Sequence, residues 1–296
     1  MIGEAKEKDS FFLELPSKLF PEDFHMVKDH PLVDVHCHLT DPSYTNDIDH
    51  LMKQCELFGL KRVVTNGLCP TSNRGVLTLA RKYPMIVPAT GIYPLQGIHH
   101  HIPINHPLKP ESFSVSEEIG WIEEQASQGV ICAVGECGLD GYHFGDNYLT
   151  EQIEVFERLI NIALTYDLPL IVHSRKCEKK VMTILAKHRV LKAIFHCYMG
   201  KTKLAIQGAE EYGWYFSMPA IAPKHSGFCR LMTSLPVDQI LTETDSPYLP
   251  YQGGIRNDPR QVAYSVVTLA YLRGWSLAKT SEKIWQNYCR IIPDNS

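Results

Sequence analysis

Leu32-Val33-Asp34-Val35-His36-Cys37-His38 is an apolar run that closes on two histidines. On a β-strand, side chains alternate between faces, so Asp34, His36 and His38 share one face while Val33, Val35 and Cys37 take the other. Two imidazoles on one face at the end of a buried strand suit a metal ion, since neutral imidazole ligates zinc, manganese and iron well. Taken alone, the pair reads equally well as two packed core histidines. What decides between these readings lies further along the chain.

Four later segments repeat the arrangement. Ile131-Cys132-Ala133-Val134-Gly135 runs into Glu136, and Leu168-Pro169-Leu170-Ile171-Val172 runs into His173. Lys192-Ala193-Ile194-Phe195 runs into His196, and Gln239-Ile240-Leu241-Thr242 runs into Glu243-Thr244-Asp245. Each is followed by a polar stretch and then by a segment of helical period. Strands that finish in His, Glu or Asp at their C-terminal ends are the layout of a parallel barrel whose site lies on that face. Four histidines and two carboxylates converging there would suit two metals bridged by a carboxylate.

Alternating strand and helix periodicities place eight such units. Strands are expected to end near His38, Asn66, Gly91, Glu136, His173, Cys197, Ser217 and Asp245. A last helix is expected over 276–288, capped by Ser276, with Leu277, Ile284 and Trp285 on its apolar face. The expected fold is therefore α/β, a TIM (β/α)8 barrel over residues 31–296 as one domain. Residues 1–30, rich in Phe and Leu, read as an N-terminal extension packed on the barrel exterior. The long connection 95–115 carries His99, His100, His101 and His106 and reads as a solvated rim loop, because flexible loops make poor metal sites.

Composition sets the wider limits. The 296 residues are 44% hydrophobic and 21% charged, enough for a sizeable soluble core, and the net charge of −4 excludes a generally basic nucleic-acid coat. Nine cysteines, several beside expected strands and none in a Cys-x-x-Cys pair, read as buried thiols of a reducing compartment. No stretch approaches membrane-spanning length and the charged N-terminus lacks a signal-peptide core. The expected location is cytoplasmic.

Ordered motifs now carry a resemblance. Asp34-x-His36-x-His38, Gly135-Glu136-Cys137-Gly138-Leu139-Asp140, His173-Ser174-Arg175, His196-Cys197-Tyr198, Glu243-Thr244-Asp245-Ser246-Pro247 and Arg256-Asn257-Asp258-Pro259 resemble the TatD-type metal-dependent deoxyribonucleases. The resemblance runs from about Leu32 to Ile291. It implies that His36, His38 and Asp245 hold one divalent ion, that His173 and His196 hold a second, and that Glu136 bridges them. Glu136 and Asp245 are then the catalytic carboxylates, with two magnesium, manganese or zinc ions per chain. The implied activity is 3′-to-5′ exonuclease cleavage of DNA, with single-stranded ends as partner. One position departs: where the family has Gly-x-His-Pro, this chain has Gly91-Ile92-Tyr93-Pro94. Tyrosine can donate a hydrogen bond to phosphate but carries no positive charge near neutral pH.

Tyr93, Arg175 and Arg256 are the candidate substrate contacts. Arg175 follows His173 by two and offers a guanidinium fork to phosphate, with an ion pair to Glu136 or Asp140 as the alternative. Arg256 lies in the loop after the eighth strand, where TIM barrels often bind phosphate, and reads equally as a solvated loop charge. The loops after strands five to eight carry Arg175, Lys176, Lys179, Lys180, Lys201, Lys203, Lys224, Arg230, Arg256 and Arg260 in a chain of net negative charge. Side by side, they would form a basic rim attractive to a polyanion. Tyr142, Tyr198, Tyr248 and Tyr251 could stack on bases or close the barrel top. Asp140 is expected to orient a ligand histidine, and Cys37, Cys137 and Cys197 to face away from the pocket. The alternatives to an exonuclease are a binuclear hydrolase of small esters, amides, phosphoesters or acylated RNA, and a catalytically inactive scaffold.

Overall fold

The computed structural model describes residues 30–106 and 109–292. Eight strands follow one another in order around a parallel sheet: β1 (Leu32–Cys37), β2 (Leu60–Asn66), β3 (Ile86–Thr90), β4 (Ala133–Gly138), β5 (Leu170–His173), β6 (Ala193–Phe195), β7 (Tyr215–Met218) and β8 (Ile240–Thr242). The packing expected of the N-terminal extension concerns residues outside those described.

Closure between β8 and β1 relies on more than a ladder. Thr242 Oγ1 donates to Val33 O at 2.9 Å, the Asp245 amide to His36 O at 2.8 Å, and the His38 amide to Ser246 O at 2.7 Å. The buried Asp34 carboxylate completes the seam by accepting from the Thr244 amide at 3.0 Å and from the Thr244 hydroxyl. A side chain thus substitutes for main-chain pairing where the last strand is short.

Helices cover the sheet: α1 (Ile48–Phe58), α2 (Pro70–Lys82), the single turn α3 (Pro94–Gly97), α4 (Val115–Ser127), α5 (Leu149–Thr165), α6 (Glu178–Lys187), α7 (Thr202–Tyr212), α8 (Ser226–Ser234), α9 (Val262–Arg273), which is apolar on all sides and largely buried, and α10 (Leu277–Ile291). Ser276 caps α10 as expected, accepting from the Lys279 amide at 3.2 Å. The buried face of α10 is Ile284, Tyr288 and Ile291, while Leu277 and Trp285 lie only partly buried at its margin.

Three expectations are corrected. β6 and β8 stop at Phe195 and Thr242, short of the expected Cys197 and Asp245, because Cys197 (φ 43°) and Asp245 (φ 55°) turn into the left-handed region and leave the ladder. β4 instead continues past Glu136 to Gly138. The histidine-rich connection is a solvated rim only in part: Ile104 is 83% exposed, but His99 and His101 pack against other rings. His99 is buried and stacked on Phe113, and its Nε2 accepts from the Phe113 amide, so Nδ1 carries the proton donated to Gln96 O at 2.9 Å. His101 stacks on Tyr148, beside a small core of Leu95, Ile98 and Ile102. Apolar residues between the histidines draw the segment onto the barrel.

Candidate metal centre

The six expected residues meet at the C-terminal mouth of the barrel. His36, Glu136 and His173 lie within strands, His38 and His196 directly follow theirs, and Asp245 sits three residues past β8. Glu136 divides its two oxygens. Oε2 lies 3.5 Å from His36 Nε2 and 3.4 Å from His38 Nε2, and those nitrogens lie 3.5 and 3.4 Å from Asp245 Oδ1. Oε1 lies 2.9 Å from His173 Nδ1 and 3.0 Å from His196 Nε2. His36 and His38 approach at 3.2 Å, as do His173 and His196.

These spacings fit cation binding. Ligands about 2.0–2.1 Å from one tetrahedral ion lie roughly 3.3–3.4 Å from each other, close to the separations in the His36–His38–Glu136–Asp245 group. The donor set, imidazole nitrogen and carboxylate oxygen, is that of zinc or manganese sites.

The electrostatics point the same way. Burial would raise the carboxyl of Asp245, yet hydrogen bonds from His36 and His38 hold it well below the usual range. Burial likewise acts to raise Glu136, and the surrounding histidines reverse the sign. Burial opposes the charged form of His173, but bonds to Asp140 and Glu136 push it up to about 9. His196 falls to about 4, from burial and the charge of His36. The buried carboxylates thus favour the protonated forms of His36 and His173, and a divalent ion binding there would compete with those protons.

Close backbone packing sets the positions of these side chains. Gly138 has φ 137°, and a Cβ there would stand 2.0 Å from His173 O. A Cβ on Gly91 would stand 2.4 Å from Glu136 O. Only glycine lets β3, β4 and β5 approach this closely. Asn73 of α2 clamps Gly91 from the other side through both its amide and its carbonyl.

Around the centre, Asp140 Oδ2 meets His173 Nε2 at 3.0 Å, as expected of an orienting carboxylate. Its Oδ1 accepts from the amides of Tyr142 and His143, and Gln152 of α5 grips its backbone at both N–H and C=O. Tyr93 donates from its hydroxyl to Asp140 Oδ2 at 3.2 Å, and its ring stands edge-on to His173. That hydroxyl is engaged within the site rather than held free at the mouth. Glu243 was missed in the sequence as anything but a strand end. Fully buried, it accepts from the Cys197 amide at 2.7 Å and from Ser217, bracing the left-handed turn after His196. Its spacing of two from Asp245 was the available signal.

The flanking residues divide. Arg175 lies with its guanidinium 3.6 Å from the centre of the Tyr142 ring, not paired with Glu136 or Asp140, and lines a cavity of about 180 Å³ beside His173, His196 and Asp245. Arg256 is brought elsewhere: it pairs with both carboxylate oxygens of Asp47, bonds Ser43 O and lies over the Tyr44 ring. Tyr198 is buried and Tyr251 stacks on Tyr264, which leaves Tyr142 and Tyr248 as the exposed tyrosines of the four. Cys37 and Cys137 are buried as expected. Cys197 instead lines the 180 Å³ cavity, because its left-handed backbone breaks the alternation that would have turned it away.

Residues 33–293 match the family described as TatD related DNase. The chain belongs to the TatD family. It is accordingly a metal-dependent hydrolase. The human deoxyribonuclease TATDN3 is 27% identical over 269 residues, covering 88% of this chain and 94% of the relative. A metal-dependent hydrolase of Bacillus subtilis, YabD, is 26% identical over 271 residues, covering 89% of this chain and all of the relative. The crystal structure of YjjV, a TatD homologue from Escherichia coli K12, superposes with a TM-score of 0.76 at 24% identity, over 89% of this chain and 98% of that one, and shares the TatD fold. Among the described residues, no helix is long and apolar enough to cross a membrane.

Proposed function

We propose that this TatD protein is a binuclear-metal 3′-to-5′ exodeoxyribonuclease acting on single-stranded DNA ends. The observation that carries the reading is the division of Glu136 between two histidine sets, Oε2 toward His36 and His38 and Oε1 toward His173 and His196. In this reading His36, His38 and Asp245 would hold one ion and His173 and His196 another, with Glu136 offering one carboxylate oxygen to each set. Such ions, whether magnesium, manganese or zinc, acidify water for attack on phosphorus and offset charge on the departing oxygen. Asp245, whose Oδ1 stands 3.5 and 3.4 Å from His36 and His38 Nε2 at the mouth, is the carboxylate placed to take the proton of the attacking water. Asp140 holds the ring of His173 in the orientation that aims Nδ1 at Glu136. Arg175, stacked on Tyr142 beside the centre, supplies the cation for a phosphate oxygen.

One observation favours a hydrolase of small phosphoesters instead. Tyr93, in place of the family histidine, is tied to Asp140 and offers no charge to a polymer backbone. A time course on end-labelled single-stranded DNA, with magnesium, manganese or zinc supplied in turn, separates the readings. A ladder of successively shorter products supports the exonuclease. No cleavage with any ion, alongside turnover of a small phosphoester, hands the case to the other reading.

A further inference from the structure

Charge is distributed unevenly about the centre. Toward β5–β7, the 180 Å³ cavity holds Arg175 and Glu178, and an adjoining open cavity of about 680 Å³ is lined by Lys176 and Lys179 together with Lys180 and Lys187, which pair with Asp146 and Glu157. A third, of about 280 Å³, carries Lys201 and Arg230 and no carboxylate. Toward β1 and β2 lies a groove of about 600 Å³ whose inner end is His38 and Tyr248. Its walls include Leu39, Ile48, Leu68 and Leu79, and no lysine or arginine lines it. Its charged groups are acidic. Asp41 accepts from the Ser43 amide, and Glu111 is held below its ordinary pKa: burial would raise it, but bonds from the Thr71 amide and hydroxyl prevail.

We infer that this groove is the subsite for the uncharged terminal nucleoside of the strand being degraded, with the remaining phosphate backbone leaving over the basic β5–β7 side. The inference rests on the exonuclease reading and adds to it a direction across the site. A groove of this volume is within the range of small-molecule sites, roughly 300–1,000 Å³, and accommodates a base with its sugar. The apolar walls suit a nucleobase, and Tyr248, half exposed and edge-on to His38, is placed to stack on it at the groove's inner end. The two carboxylates repel phosphate, so a further phosphate on the terminal sugar is disfavoured there. With the scissile phosphate over the metal centre, water adds hydroxide to phosphorus and the P–O3′ bond breaks. The proton goes to the departing O3′, giving a 5′-nucleotide in the groove and a shortened strand with a 3′-hydroxyl.

The test compares single-stranded DNA ending in a 3′-hydroxyl, a 3′-phosphate or an abasic 3′ residue, with deoxyadenosine as an uncharged competitor. The 3′-phosphate should lower kcat/KM at least about tenfold through like-charge repulsion, and loss of the terminal base about tenfold through lost stacking. Deoxyadenosine should inhibit competitively. Thr78→Trp and Thr45→Trp, both substitutions at exposed positions lining the groove, should each weaken that inhibition and raise KM for the 3′-hydroxyl strand. Their folding is checked by thermal unfolding and metal content. DNA cleavage indifferent to all three ends, with no inhibition by deoxyadenosine, overturns the groove assignment and leaves the exonuclease standing. Absence of DNA cleavage with every metal overturns both.

Discussion

Asp140→Asn is the perturbation that tests how the second half of the centre is held. With an ion bound, Asp140 Oδ2, 3.0 Å from His173 Nε2, would hold the single ring proton there and leave the lone pair of Nδ1, 2.9 Å from Glu136, for the ion. An asparagine there keeps its carbonyl on the amides of Tyr142 and His143, which bond Oδ1 at 2.8 and 3.2 Å. Its NH2 then faces His173 Nε2 and the Tyr93 hydroxyl, two groups that both donate to the carboxylate. His173 must accept at Nε2 instead, so the ring proton moves to Nδ1, the nitrogen that should bind the ion. Loss of an outer carboxylate of this kind weakens metal binding by about 10–100-fold, or roughly 1.4–2.7 kcal/mol. The effect should fall on one ion only, since His36, His38 and Asp245 have no contact with Asp140. Calorimetric titration of the chelator-stripped protein with zinc or manganese reads this as one weakened and one unchanged event, with thermal unfolding confirming the fold. Equal weakening of both events, or of neither, refutes the assignment of Asp140 to His173.

Other outcomes follow from the same contacts. Asp34→Ala leaves the amides of His36 and Thr244 and the Thr244 hydroxyl without their acceptor, and should cost about 3 kcal/mol in urea unfolding. Burial raises the Asp34 carboxyl to about 7, so between roughly pH 4 and 7 the folded chain binds a proton that the unfolded chain has released. Stability of the metal-free protein should therefore fall as pH rises through that window, and Asp34→Asn should flatten the slope. Arg256→Ala should lower stability by roughly 1 kcal/mol and leave the salt dependence of DNA binding unchanged, since its partners are Asp47 and Tyr44. Arg175→Ala should reduce the slope of log affinity against log salt by about 1 in a filter-binding series.

Much of the barrel was legible because each strand is a short apolar run with its polar group at the C-terminal end. Helices were placed by their period, and Ser276 by its capping chemistry. The six central residues were legible for the same reason: metal donors at equivalent points of repeated units must converge when the sheet closes. Contacts that depend on distant segments were not. Arg256 and Asp47 are 209 residues apart, and Asp34 and Thr244 are 210. No local pattern pairs them. Cys197 escaped because alternation holds only while the backbone stays extended, and its φ of 43° ends that. His99 escaped because a long connection reads as a flexible loop, whereas Phe113 stacks on its ring and Gln96 O takes its proton.

The central claim is that Glu136 joins two metal positions, and counting ions tests it most directly. Elemental analysis of the metal-loaded native chain and of Glu136→Gln, each after exhaustive dialysis, should give two ions per native chain. The variant should hold fewer and cleave no DNA, because a neutral amide is a poor bridge between two cations. A native chain that never exceeds one ion, or a variant that retains two ions and full turnover, would contradict the account.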